Sequence, residues 1–491
     1  MMFLKRVISL LLCFIMLCFT FTACGENYKD AFIYIDFDSV PTSLDPQLAD
    51  SDEELTVVRS LFDTLLRYDK DGSIVCSGAD AFTKDGNTYT FELNKDAKWV
   101  EGGAVTAHDY VFALRRAVDP KTKAPFANSL FSIVNAKDIY EGNKNVSSLG
   151  ITAVDDYTLK IELAHENSEF EKVLTTAVTM PCNEEFFDSC KGKYGLTIET
   201  TAACGSYYVR QWITESKFLI RLAKNLDFGG EFEANSMRIY YTCGKDAALD
   251  MLGLDNTDLA YISNDEYKDI SDAGFKIMSA EDTCYMVFFS ERMDAELRQA
   301  FLSSIDKNSY ASNLTTTQKT ADNLYPAVLS VNSAPKVTDY IKYDVVSASA
   351  IYNQKVLDGL VPKNISIKYP KDTSTESVAR SLAAHWQQTL SCFVNIEETP
   401  IHTVRDMFNS TYYDIIIIPF SAPSGTVSAY NKKLGFIDSN PKAISEEFFK
   451  NYRCYPLYFS STNIAAGPKI QNLEAAMGGG TLDASMLIKI Q

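Results

Sequence analysis

Apolar and polar positions change period several times along this chain, and each change predicts an element. Leu55, Val58, Phe62, Leu65 and Leu66 recur at helical spacing and predict a helix with one buried face. Tyr89, Phe91 and Leu93 alternate with Thr88, Thr90 and Glu92, the pattern of a strand buried on one side. Thr106 with Asp109 three residues on predicts a capped helix bearing Tyr110, Leu114 and Ala117. Thr373 and Glu376 repeat the capping-box spacing, and Val378, Leu382, Trp386 and Leu390 fall on one face of the helix that follows. Ile415 to Ile418 is an unbroken β-branched run, which predicts a strand covered on both faces. A helix feeding such a strand is the grammar of a mixed sheet with covering helices, an α/β class. Turns are expected at Ser43-Leu44-Asp45-Pro46, where Pro46 removes an amide donor and holds Asp45 extended, and at Asp71-Gly72.

The ends and the length extend this picture. Lys5-Arg6 precede an uncharged apolar run from Val7 to Phe21 that ends in Thr22-Ala23-Cys24, the shape of a secretory signal peptide over residues 1–23. A cysteine directly after the cut resembles the lipobox of bacterial lipoproteins, which implies acylation of Cys24, with Phe21 where a leucine is usual. A plain cleaved signal and a retained anchor are the alternatives, although the run is short of the ~20 residues a spanning helix needs. Several acyl chains, palmitate among them, would hold the protein stably on the outer face of the cell membrane, with residues 24–30 as a tether. The chain has 491 residues, more than one core accommodates, and predicts two or three lobes.

Composition removes several function classes. The formal net charge is −18, and loss of the leader, with Lys5 and Arg6 and no acidic residue, makes it two units more negative. Nucleic acid is excluded as a partner because phosphate binding needs clustered Lys and Arg. Of the 11 cysteines, eight lie beyond Cys24; an exported chain could pair them, while a core this size needs no staples, so disulfides and buried thiols both stand. Spacings such as Cys182 to Cys190 match no zinc pattern. The four histidines form no His-Glu-x-x-His, and neither a Gly-x-Ser-x-Gly elbow nor a phosphate loop is present, so no enzyme, metal or cofactor is expected.

An ordered set of motifs then carries a resemblance. Pro41-Thr-Ser-Leu-Asp-Pro46, the segment from Leu61 to Gly72, Asp96-Ala-Lys-Trp99, Gly205-Ser-Tyr-Tyr208 with Trp212, Leu297-Arg-Gln-Ala300 with Ile305-Asp306, and Tyr455-Pro-Leu-Tyr458 together span nearly the whole chain. They resemble the family 5 extracellular solute-binding proteins of the oligopeptide, dipeptide and nickel class, which serve ABC importers. The resemblance implies a two-lobed, periplasmic-binding-protein-like (Venus-flytrap) fold with two crossing strands and an extra inserted subdomain. By analogy, the first lobe covers 31–275 plus 466–491, with the insertion near 63–180, and the second covers 276–465.

The resemblance also implies a function: a monomer that captures peptides between its lobes and delivers them to ABC permease and ATPase subunits. A surface peptide receptor or adhesin, or a carrier of a metal chelate, is the alternative. Position by position it nominates Ala49, Asp50 and Asp52 after the turn, Tyr285, the loop Pro419, Phe420, Ser421 and Ala422, and Tyr458 as ligand-binding residues. Pro423 stands where the family expects an aspartate for the cargo amine, so an amine would be held elsewhere, with Asp50 or Asp52 as candidates, or be absent from the cargo.

Overall fold

The computed structural model describes residues 32–490 apart from 215–217, 229–235, 237, 244–247, 332, 372, 411, 424, 438–439 and 478–479. The expected leader, Cys24 and the tether lie outside the described residues. Two long strands, Lys276–Phe289 and Cys454–Ala466, run antiparallel through the centre of an eleven-stranded mixed sheet. They pair continuously from Lys276 opposite Ala466 to Phe288 opposite Cys454, with two register shifts.

Each end of this pair enters a different core. Ile464 and Ala466 pack with Ile33, Ile35, Leu222 and Ile239 of the strands on one side. Cys284 to Phe289 and Cys454 to Phe459 pack with Leu297, Phe301, Trp386 and Ile415 to Ile418 on the other. The molecule is therefore two-lobed, with the strand pair crossing between lobes. A separate four-stranded sheet, built from Ala79–Asp85, Thr88–Leu93, Thr158–Glu162 and Ile151–Asp155, leans on the helix Ala107–Val118, and its apolar face joins the first lobe's core.

Most local patterns appear as expected. Tyr89, Phe91 and Leu93 are buried, the Thr106–Asp109 capping box is formed, and Val378, Leu382, Trp386 and Leu390 line the buried face of the helix Thr373–Leu390. Ile415 to Ile418 are all buried in the strand Ile415–Ser421. One expectation is corrected: the first helix runs Asp52–Leu61, and Leu65 and Leu66 lie beyond it. The backbone turns extended at Phe62 because tertiary donors take the helix-end carbonyl, with Cys204 N and Gly205 N both hydrogen-bonded to Leu61 O at 2.9 and 2.7 Å. All eight cysteines in the described chain are free thiols, six of them buried. Burial pushes the Cys182 thiol up to about 12, as expected of an inert packing residue.

The Ser43-Leu44-Asp45-Pro46 turn is an anchor. Asp45, 2% exposed at its side chain, forms a forked ion pair with Arg116 of the Ala107–Val118 helix. Arg116 also donates to Gln47 Oε1 at 2.7 Å and lies over the rings of Phe187 and Tyr194, 4.4 and 5.5 Å from their centroids. Gly195 closes over the turn so tightly that a Cβ there would sit 2.4 Å from Asp45 N. Replacing Arg116 by Met should cost about 3–5 kcal/mol in urea unfolding, because the Asp45 carboxylate stays buried without its partner. The double change Arg116→Met, Asp45→Asn should recover part of that loss, and equal destabilisation by both variants would refute the role of the pair.

Candidate functional site

The helix Asp52–Leu61 begins at the gap between the lobes, and local chemistry holds its first turn there. Ser51 caps it by accepting from Glu54 N at 3.2 Å. The Glu54 carboxylate in turn accepts from Thr42 N, Ser43 N and Asp50 N at 2.9 to 3.1 Å, which ties the incoming loop to the helix. Three acidic residues, Asp52, Glu53 and Glu54, occupy that turn, where the helix dipole favours negative charge.

Opposite it, the crossing strand carries a bulge. Glu281 pairs with Ser461 and Thr283 with Ser460, leaving Asp282 as the extra residue between them. Its carboxylate accepts from Thr462 Oγ1 at 2.6 Å and Thr283 Oγ1 at 2.9 Å, and its carbonyl accepts from Ala422 N at 2.9 Å. Asp52 faces this carboxylate. Burial first, then the Asp282 charge, pushes the Asp52 carboxyl up to about 8. Asp282 is also raised, mainly by burial, with the Thr462 hydroxyl opposing.

Asp52 and Glu53 border two cavities. One, of about 290 Å³, is bordered by the crossing strands, including Tyr285, and by Tyr261 to Asp265. The other, of about 550 Å³, lies between Asp50, Pro125, Arg405, Phe408 and the strand end Ile418 to Ser421, with Lys432 and Lys433 on its wall. Burial drives the Lys433 ammonium down to about 8 against the pull of Asp50. Asp50 opens onto this cavity, and its carboxyl is raised by desolvation and by Glu54.

The lobes touch around the cleft. Lys432 Nζ donates across the gap to Ala124 O and Pro125 O at 3.2 and 3.1 Å, Asn128 donates to Ser428 O, and Ser129 Oγ meets Thr426 Oγ1 at 3.3 Å. Thr481 Oγ1 donates to Pro423 O at 2.6 Å. The structure is thus a closed arrangement.

Of the residues nominated from sequence, Asp52 borders both cavities, Asp50, Pro419, Phe420 and Ser421 border the larger, and Tyr285 borders the smaller. Ala49, Ala422 and Tyr458 are buried and line neither. The Tyr458 ring supports Tyr285 by stacking at 4.5 Å, and its hydroxyl lies 2.8 Å from Thr375 Oγ1. Pro423 borders the larger cavity. Asp282, Thr462, Arg405 and Lys433 were missed. A carboxylate at Asp282, within the strand Lys276–Phe289, was a readable signal because aspartate is disfavoured in strand interiors; Lys433 reads as an ordinary surface charge.

Comparison with known proteins agrees with this architecture. The profile of the bacterial extracellular solute-binding proteins, family 5 Middle, matches residues 44–436, and the chain belongs to that family. The periplasmic murein peptide-binding protein MppA of Escherichia coli is 26% identical over 397 residues, 77% of this chain and 72% of that protein. Listeria monocytogenes OppA bound to peptide superimposes with a TM-score of 0.77 at 22% identity, covering 94% of this chain and 99% of that one. One MppA structure gives 0.78 at 20% identity, covering 94% and 98%, whereas its unliganded open form, at the same identity and coverage, gives 0.64.

The acidic pair has a consequence for stability. Because the Asp52 pKa is raised on folding, the folded chain binds the extra proton between the ordinary carboxylate pKa near 4 and about 8, so this contribution to stability is present at low pH and lost as pH rises through that window. Asp52→Asn removes the dependence. In cargo-free protein, the gain in Tm of this variant over the parent should grow from pH 4.5 to pH 8; a pH-independent difference would contradict the raised Asp52.

Proposed function

We propose that this chain is the extracytoplasmic binding component of an ABC importer, capturing oligopeptides between its lobes and releasing them to a membrane permease. The observation that carries the peptide reading is an open strand edge. The strand Ile415–Ser421 pairs along its whole length with Thr283 to Phe289, but on its other side the strand Ile365–Tyr369 meets it only at Ile415 and Ile416. Ile418 to Ser421 border the larger cavity, so an extended peptide could lie along this edge as an added strand, held mainly through its backbone. Relatives named for murein peptide and oligopeptide binding support the same reading.

Closure supplies the lock. Each lobe is a packed body on one end of the crossing pair, and cargo that touches both lobes favours the closed state by its differential affinity. The groups that bridge the gap, Lys432 to Ala124 and Ser129 to Thr426, then add to retention. In this reading the protein makes and breaks no covalent bond in its cargo, acts as a monomer, and is held at the membrane by lipid on Cys24.

Full-length protein purified from its host in mild detergent without unfolding should carry short peptides identifiable by mass spectrometry, intact after prolonged incubation. A cargo without peptide bonds, or trimmed peptide products, would overturn the proposal. Cys24→Ser should move the protein from the membrane fraction to the soluble extracytoplasmic fraction, and unchanged fractionation would refute the lipid anchor.

A further inference from the structure

A third cavity, of about 410 Å³, lies where the lobes touch, away from the cleft. One wall comes from residues 128–132 and 165–173 of the first lobe, and the other from residues 425–431 and 440–441 of the second. Among the described residues, none borders both this chamber and a cleft cavity. The helix Val427–Lys433 stands between them: Lys432 and Lys433 border the cleft, and Val427, Ser428 and Asn431 border the chamber. Phe131 and Val173 pack in the first core and Val427 on the second, so the chamber is complete only when the lobes are closed.

The chamber's polar groups are incompletely used. Asn128, 6% exposed, donates through Nδ2 to Ser428 O, but its Oδ1 is buried with no hydrogen-bond partner among the described residues. An acceptor buried by closure without a donor opposes closure, and an occupant that donates to it removes that cost. The hydroxyls of Ser129, Thr426 and Ser428 meet across the lobes at 3.3 and 3.4 Å, longer than the usual ~2.8 Å between bonded oxygens, so these contacts are weak. Charge is balanced: Lys172 pairs with Glu169 at 2.6 Å, and His165 and Glu166 are exposed to solvent. Phe131, Val173, Val427 and Pro441 add apolar wall. An occupant must then donate to an amide oxygen, exchange hydrogen bonds with hydroxyls, carry no net charge and present an apolar side. A sugar ring meets all of these conditions, with hydroxyls around its edge and C–H groups on its face, and the volume falls within the range of small-molecule sites, about 300–1,000 Å³.

We infer that this chamber is a second ligand site, separate from the cargo cleft, for an uncharged mono- or disaccharide that clamps the lobes in their closed arrangement. Asn128 and Ser129 hold the sugar from the first lobe, and Thr426 and Ser428 from the second. Cargo in the cleft does not reach it, because the helix Val427–Lys433 and the Lys432 contacts to Ala124 O and Pro125 O stand in the way. A ligand that touches both lobes binds the closed state in preference to the open one. Sugar and cargo therefore strengthen each other's binding by the same factor, whatever the cargo is.

Full-length protein, kept in a detergent without a sugar headgroup, should be titrated calorimetrically with glucose, galactose, N-acetylglucosamine, maltose and sucrose, and with glucosamine and glucuronate as charged analogues. At least one neutral sugar should bind once per chain with a Kd below about 1 mM, and the charged analogues about tenfold or more weakly. Asn128→Leu should weaken that sugar by about tenfold or more. Ser428→Ala, a smaller change that keeps the backbone carbonyl used by Asn128, should weaken it by about threefold or more. In small-angle scattering, the sugar should reduce the radius of gyration of protein stripped of cargo and leave that of Asn128→Leu unchanged. Binding of no sugar in the panel overturns the inference, as does binding that both variants leave intact, which would place the sugar elsewhere. Binding without compaction would refute the clamp. None of these results bears on peptide capture, which the identity of the co-purified cargo decides.

Discussion

The rest of the structure depends on the continuous pairing of two strands, Lys276–Phe289 and Cys454–Ala466, across the division between lobes. Their backbone hydrogen bonds hold the lobes together where the two apolar cores end, so the lobes share a sheet without sharing an interior. A gap is then unavoidable, and the residues at the middle of the crossing pair form its floor. The bulge at Asp282 is placed there, at the change from one core to the other, and it directs a carboxylate into the gap where strict pairing would have continued the ladder.

Buried charge plays two different roles in this molecule. At the turn, Asp45 and Arg116 are matched in geometry, with Gln47, Phe187 and Tyr194 completing the surroundings, and the pair secures the loop that leads to the cleft. At the cleft, Asp52 and Asp282 are matched to each other in sign and therefore opposed in energy. The first arrangement is complete within the chain. The second is relieved by a proton, which ties the charge of the cleft to pH.

Closure and chemistry meet in the short helix Val427–Lys433. Lys432 spans the gap to the Ala124 and Pro125 carbonyls, while Lys433, one residue on, donates to Ser421 O and faces the acidic loop at Asp50. Adjacent residues on one helix thus serve the contact between lobes and the charge of the cavity. Both depend on the relative position of the lobes.

Much of the fold was legible in the residues themselves. The alternation at Tyr89 to Leu93, the Thr106–Asp109 cap and the isoleucine run each describe a local environment, and a local environment leaves a period in the sequence because side chains must face core or water in turn. The end of the first helix was not legible: Leu65 and Leu66 continue the helical spacing, but the amides of Cys204 and Gly205, far along the chain, capture Leu61 O and stop it. Ala49, Ala422 and Tyr458 lie beside cleft residues in sequence, yet their side chains turn into the interior. Sequence by itself determined the elements, the family resemblance and the acidic character of the chain. Only the tertiary structure decided that Asp50 and Asp52 of one lobe meet Asp282 and Lys433, because a charge acts through space and these residues are brought within reach only when the lobes assemble on their shared strands.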